Sequence, residues 1–162
     1  MKCYYDLHIH TALSPCADND MTPNNIMGMA AINGLNMIAA ADHNGIKNVK
    51  SMLRLQETYG INVVPAFELQ TAEEIHFLCL FPDLELLEKF YDGITFMNID
   101  NRKDIFGEQR ILDESDEIVG EERRLLLSSA DINSYQVKEA VEVLGGIAVP
   151  AHIDRESNGI IS

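Results

Sequence analysis

Short apolar segments and helical segments alternate along this chain, and this alternation restricts the folds that it can adopt. Runs typical of strands occupy residues 3–9, 37–41, 61–67, 74–81 and 147–151. Helical patterns lie between them at residues 24–33, 48–59, 84–91 and 134–144. Three of these helices are followed by a glycine that can end them, Gly34, Gly60 and Gly145. Such a succession predicts an α/β fold with a parallel sheet or barrel, in which functional residues follow the strands.

Residues 110–119 interrupt this alternation. Their pattern predicts two short strands around an acidic turn, inserted into the repeat. The 162 residues suit one domain, 1–162, whereas a closed β/α barrel takes about 250 residues. Five strands in this length therefore predict a barrel that is incomplete at its C-terminus.

The chain is strongly acidic, with 12 Lys and Arg residues against 26 Asp and Glu residues and a formal charge of −14. This charge repels nucleic-acid backbones and anionic membrane surfaces, so we expect no non-specific nucleic-acid binding and no membrane partner. An anionic substrate would need a local positive centre. Bound divalent cations provide one, because an ion can dominate the local potential of a site.

The cysteines indicate the compartment. Cys3, Cys16 and Cys79 are odd in number and lack the paired spacing of a disulfide framework. Free thiols are typical of a reducing environment, and the N-terminus lacks the apolar run of a signal peptide, so we expect a cytoplasmic protein. The sequence leaves the oligomeric state open.

All the histidines of the chain lie within or directly after predicted strands, at His8, His10, His43, His76 and His152. Asp6 and the first two histidines are spaced by two, so on a strand their side chains share one face. A lone strand histidine is more often a packed core residue than a ligand. Neutral imidazoles crowded together beside an acid are costly unless a cation such as zinc organises them, which favours a metal site.

Further candidates stand at the ends of other strands. Asp42 and His43 follow a buried strand, although Asp42 could instead cap the next segment. Glu68 ends an apolar run, where a carboxylate is costly to bury unless it is paired or binds metal. His76, taken singly, suits packing as well as ligation. Several imidazoles with one glutamate suit Zn, Mn or Fe and exclude an all-oxygen calcium site, and the number of ligands predicts more than one ion.

These segments together resemble the polymerase and histidinol phosphatase (PHP) superfamily. The matching residues are Asp6-Leu7-His8-Ile9-His10-Thr11 through Ser14, Ala41-Asp42-His43-Asn44, Glu68, His76 and Pro150-Ala151-His152. The resemblance extends from Asp6 to Arg155. It implies a distorted seven-stranded (β/α)7 barrel, incomplete here, and hydrolysis of phosphate monoesters or terminal nucleotides.

The resemblance also implies a ligand set for two or three divalent ions. His8 and His10 would bind one metal, Glu68 would bridge it to a second held by His76 and His152, and His43 would bind a third. Asp6 and Asp42 would orient ligands without binding metal themselves.

Two departures from the family pattern matter. Cys16 stands where many members have a further histidine; its thiolate could bind zinc or iron at the third site, and a buried structural role is the alternative. The family's closing Asp-x-His motif has no counterpart before Ser162. We therefore expect the chain to be the N-terminal part of a longer protein. The gene sequence downstream of the codon for Ser162 would test this expectation.

The sequence thus predicts a metal-dependent phosphoesterase acting on a small phosphorylated substrate through a metal-activated water. The residues predicted to take part in catalysis are His8, His10, Glu68, His152 and Arg155. Arg155 could grip a phosphate, or could pair with surface acids instead. A degenerate or truncated metal-binding domain without turnover is one alternative. A metal-dependent amidohydrolase is another, disfavoured because no lysine stands at a strand end for carbamylation.

Overall fold

The expected strands and helices form, with differences in their bounds and in one strand direction. In a computed structural model that describes residues 2–161, the elements are, in chain order, β1 (Tyr5–Ile9), α1 (Pro23–Ile32), β2 (Met37–Ala40), α2 (Val49–Arg54), α3 (Gln56–Tyr59), β3 (Asn62–Val63), β4 (Ala66–Gln70), β5 (His76–Leu80), α4 (Leu84–Asp92), α5 (Lys103–Phe106), β6 (Arg110–Leu112), β7 (Ile118–Glu121), α6 (Ser134–Glu142) and β8 (Ile147–Pro150).

The first sheet is parallel, as predicted, in the order β1-β2-β3. The helix between β1 and β2 begins where the sequence predicts, because the Thr22 side chain accepts a hydrogen bond from the backbone N–H of Asn25 and Pro23 occupies the first turn. The helix predicted at 48–59 is two short helices, α2 and α3, and Gly60 ends the second with a left-handed φ of 65°.

The second sheet differs from the expectation of parallel strands. Its order is β4-β5-β8, and both pairings are antiparallel. The strand predicted at 61–67 is divided at Pro65, which has no N–H to continue a ladder. Only residues 71–75 separate β4 from β5, and a parallel connection needs about a dozen residues or more. The short connection therefore forces β5 to reverse direction.

The two sheets meet where the chain leaves β2 and runs beside the middle of β4. His43 and Glu68 form a parallel bridge pair, in which Glu68 N–H donates to Asp42 O at 3.0 Å and Asn44 N–H donates to Glu68 O at 2.8 Å. Separate hydrophobic clusters support each sheet, one around Ile38 and Met52 and one around Phe67 and Val137. A third, smaller cluster, Ala39, Ala41 and Ala66, packs at the join itself.

The acidic insertion forms the predicted hairpin, β6 with β7, around a turn at 113–117. The sequence pattern does not predict the one-turn helix α5, which precedes this hairpin. Residues 2–161 form a mixed α/β fold without closing a barrel, so the (β/α)7 barrel and the single domain 1–162 stay predictions. Within this part of the chain, no helix is both long enough and apolar enough to cross a membrane.

Candidate metal centre

Every histidine of the chain contacts one carboxylate. Glu68 lies in β4 with 1% of its side chain exposed, and both of its oxygens are surrounded by ring nitrogens. The distances to Oε2 are 3.2 Å from His8 Nε2, 3.3 Å from His10 Nε2 and 3.1 Å from His43 Nδ1. The distances to Oε1 are 3.1 Å from His76 Nδ1 and 3.2 Å from His152 Nε2. The predicted site residues that are farthest apart in the sequence therefore converge.

Strand ends and one strand start supply these side chains. His8 lies in β1 and His10 directly follows it, and His43 follows β2. Glu68 lies two residues inside β4 rather than at a strand end as expected. His76 begins β5, opposite Gln70 at the end of β4, because antiparallel pairing brings the start of one strand to the end of the other.

His152 approaches from the C-terminal side. It lies two residues after the end of β8 and has a φ of 28°, a left-handed conformation that is uncommon for a residue with a side chain. The neighbouring Ala151 N–H donates to His76 O at 2.9 Å, and His76 N–H donates to Asn158 O at 3.0 Å. Residues on both sides of His152 thus pack against the start of β5.

The chemistry of this donor set suits divalent cations. Burial lowers the pKa of His43 to about 3, so its imidazole is neutral and carries a lone pair. Its Nδ1 is buried and has no hydrogen-bonding partner in residues 2–161, although it lies against Glu68 Oε2. Buried polar atoms of this kind are costly unless something binds them. Neutral imidazoles and a shared carboxylate are the ligands that zinc, manganese and iron accept.

The glutamate is held in its charged form. Burial alone would raise the pKa of Glu68, but its contacts with the surrounding imidazoles, first among them His10 and His76, outweigh this effect and lower it well below its usual range. Three groups of donors lie within 4.8 Å of one another: His8 with His10 and Glu68; His43 with Glu68 and His76; and His10 with Cys16 and His43. Glu68 takes part in two of them, which is the position of a bridging ligand.

Asp42 controls the proton position on one ligand. It is buried and accepts hydrogen bonds from Thr11 N–H, Thr11 Oγ1 and Ser14 Oγ, each at 2.7 Å. Because the Ser14 proton is used on Asp42, its oxygen accepts from His43 N–H at 3.0 Å and from His10 Nδ1–H at 3.1 Å. His10 therefore carries its proton on Nδ1, and its Nε2 lone pair faces Glu68.

Asp42 does not cap the next segment, since the hydrogen bonds of its side chain go to the loop at 11–14. Sequence reasoning missed the roles of Thr11 and Ser14, although both belong to the first motif. The available signal in the sequence was that these two hydroxyl side chains stand one and four residues after the candidate ligand His10. Asp6 is exposed, and its Oδ1 accepts from the backbone N–H of His8 at 3.1 Å, so it contacts the strand rather than an imidazole.

Cys16 and Arg155 lie at the mouth of the centre. Both line a cavity of about 460 Å³ with all five histidines, Glu68, Gln70, Glu74, Leu127 and Asn158. Cys16 is solvent-accessible, and partial desolvation together with the charge of Asp42 raises the pKa of its thiol. Arg155 is exposed, and its side chain makes no ion pair with any acid in the part of the chain that the structure describes. The surface-pairing alternative for Arg155 therefore has no partner there.

Comparisons with known proteins agree on the fold. No family model matches the sequence. An uncharacterised protein of Methanocaldococcus jannaschii is 34% identical over 76 residues, which are 42% of this chain and 44% of that protein. The lesion-specific endonuclease PfuEndoQ of Pyrococcus furiosus superposes with a TM-score of 0.66 at 17% identity, covering 96% of this chain and 36% of the endonuclease.

A crystal structure of a proposed metal-dependent phosphoesterase from Bifidobacterium adolescentis has a TM-score of 0.61 at 18% identity, covering 93% of this chain and 67% of that one. The chain thus spans about a third of the endonuclease and two thirds of the phosphoesterase. These likenesses show that the chain shares its fold with these two proteins, and this fold agrees with the resemblance to the PHP superfamily drawn from the sequence.

Proposed function

We propose that this chain carries the metal centre of a metal-dependent phosphoesterase that hydrolyses phosphate monoesters. The observation that supports the proposal most strongly is the convergence of five imidazoles on both oxygens of one buried, ionised glutamate. A single negative charge cannot stabilise five neighbouring imidazolium ions. Neutral imidazoles around two or three divalent ions, Zn, Mn or Fe, give a stable arrangement of the same groups.

The ligand assignment follows the two sides of Glu68. His8 and His10 would hold one ion at Oε2, and His76 and His152 would hold a second at Oε1, with Glu68 as the bridge. His43 and Cys16, whose donor atoms lie with that of His10, would hold a third. Asp42 acts on this set through Ser14, by fixing the proton of His10 on Nδ1.

Divalent ions in such a centre acidify water and neutralise charge on a transferring phosphoryl group. In the reaction, the oxygen of a water forms a bond to phosphorus, the bond from phosphorus to the ester oxygen breaks, and a proton ends on the leaving alcohol. Arg155, exposed and unpaired at the mouth, would contact the phosphate oxygens through its planar guanidinium. Among residues 2–161, the lining of the centre contains no other lysine or arginine. Arg155 would therefore bind those phosphate oxygens that the metal ions do not hold.

The test combines metal content with turnover. The purified chain is loaded with manganese or zinc, its metal content is measured by elemental analysis, and phosphate release from nucleoside monophosphates and small phosphate esters is followed. We expect at least two ions per chain and metal-dependent release, both lost in Glu68→Gln. Glu139→Gln, which changes an exposed glutamate of α6, is the matched control and should behave as the wild type.

Three results would contradict the proposal at different levels. Bound metal without release from any phosphate ester would indicate the alternative of a metal-binding domain without turnover. If the chain binds no metal, the proposal of a metal centre is wrong. Release from amide substrates but not from phosphate esters would favour the amidohydrolase alternative.

A further inference from the structure

A second cavity adjoins the metal centre. This cavity, here called the side groove, has a volume of about 500 Å³ and lies between residues 95–99 and 125–131. It shares Gln70, Glu74 and Leu127 with the cavity of the metal centre, so the two lie side by side. A phosphate at the centre would therefore have the side groove beside it.

The walls of the side groove are largely apolar because their backbone groups are already paired. Met97 N–H donates to Ser129 O, Leu125 N–H donates to Ile99 O, and Asp131 N–H donates to Thr95 O. The side chains that remain available are mainly hydrophobic. Met97 is 55% exposed and Ile99 is 47% exposed, which is surface that an apolar group would remove from water.

The charged side chains of the side groove are acidic. Its lining includes Asp131 and Glu74, the second shared with the metal centre, and, among residues 2–161, no lysine or arginine. An anionic group would be attracted to cations and Arg155 in the centre and repelled a short distance away. Gln70 and Glu74 are the polar side chains at the junction, and Gln70 Nε2 donates to Ser129 Oγ at 3.3 Å.

We infer that the side groove binds the leaving group of the substrate, and that this group is uncharged and largely apolar, as a benzyl group is. The inference rests on the proposed function and specifies its substrate class. The phosphate occupies the metal centre, and the ester oxygen lies where the two cavities meet, near Gln70. When the bond from phosphorus to that oxygen breaks, the neutral alcohol remains in the side groove. Leaving groups with further phosphates or carboxylates are disfavoured by Glu74 and Asp131.

The test compares phosphate monoesters that share an alkyl leaving oxygen and differ in charge and polarity. Benzyl phosphate, glycerol 1-phosphate and 3-phosphoglycerate are hydrolysed by the metal-loaded chain, with a 5′-phosphorylated oligonucleotide as a polyanionic substrate. We expect kcat/KM to fall in the order benzyl, glycerol, phosphoglycerate, with the oligonucleotide lowest.

A matched pair of variants locates the effect. Met97→Asp places a carboxylate in the side groove and should lower kcat/KM for benzyl phosphate roughly tenfold, while glycerol 1-phosphate changes less than about twofold. Met29→Asp changes a methionine of the same exposure, 56%, on α1 and should change neither. Equal losses for both esters in Met97→Asp, or preferential hydrolysis of the oligonucleotide, would overturn the inference.

Binding separates this inference from the proposed function. If the metal-loaded chain hydrolyses no ester, the proposed function fails, and calorimetric titration with benzylphosphonate still tests the side groove. Binding that Met97→Asp weakens roughly tenfold, and that Met29→Asp leaves unchanged, would support the side groove. Equal affinity of the wild type for benzylphosphonate and methylphosphonate would refute it.

Discussion

The hydroxyl of Ser14 provides the sharpest test of how the metal centre is organised. Ser14→Ala removes one donor to Asp42 and the acceptor that the structure gives to His10 Nδ1–H and His43 N–H. Alanine fits the space, so the change is confined to these three hydrogen bonds. Without its partner, the imidazole of His10 can rotate or move its proton to Nε2, and in either case its lone pair no longer faces Glu68.

The magnitude follows from those three contacts. The hydrogen bond to Asp42 has a charged, buried acceptor, and the N–H groups of His10 and His43 are left with poorer partners. The three losses together cost roughly 2–4 kcal/mol in free energy of unfolding. For a chain of this size, such a loss lowers the Tm by roughly 5–15 °C. Losing an interaction that orients a ligand lowers metal affinity by about 10–100-fold.

Thr11→Val is the matched control. The Thr11 hydroxyl also makes three hydrogen bonds, donating to Asp42 and accepting from Leu13 N–H and Asn48 Nδ2, but it does not contact His10. Urea unfolding should show similar losses for both variants. Competition with a zinc chelator should show weakened metal binding in Ser14→Ala and much less change in Thr11→Val. Equal metal affinities in the two variants would refute the assignment of Ser14 as the residue that orients His10.

Three further predictions concern stability. Removing metal with a chelator should lower the Tm by roughly 5–10 °C, because ions at about 100 times their Kd stabilise the folded state by about 2.7 kcal/mol; an unchanged Tm in circular dichroism melts would contradict a metal centre. Arg124→Met should cost roughly 2–3 kcal/mol in urea unfolding, because Arg124 Nη2 donates to Asn44 O at 2.7 Å. The exposed Arg123→Met is its control, and equal effects would argue against that contact. Gly146→Ala should cost about 1–3 kcal/mol, since a Cβ there would lie 2.6 Å from Leu80 O; a loss under about 0.5 kcal/mol would show that β8 can shift freely.

The sequence predicted which side chains come together better than it predicted the strand directions. Histidines at strand ends can be recognised as candidate ligands from the sequence, because few other patterns place polar residues there repeatedly. The direction of β5 could be found only by noticing that residues 71–75 are too few for a helical crossover. His76, taken singly, suited packing as well as ligation, and in the structure it begins its strand while His10 and His43 follow theirs.

What the sequence could not reveal depends on contacts between distant segments. Ser14 contacts both Asp42 and His10, which lie 28 and 4 residues away, and no local pattern fixes that geometry. The side groove is harder still, because residues 95–99 and 125–131 have neither helical nor strand periodicity. Their pairing appears only once the chain is folded.

The bridge pair between β2 and β4 has a consequence for motion. Both members of that pair, His43 and Glu68, are candidate ligands, so opening of the fold between the two sheets would also release an ion. Local unfolding there and metal dissociation are then a single thermodynamic event. Hydrogen exchange at the amides of Asn44 and Glu68, which lie across this join, would slow as free metal concentration rises.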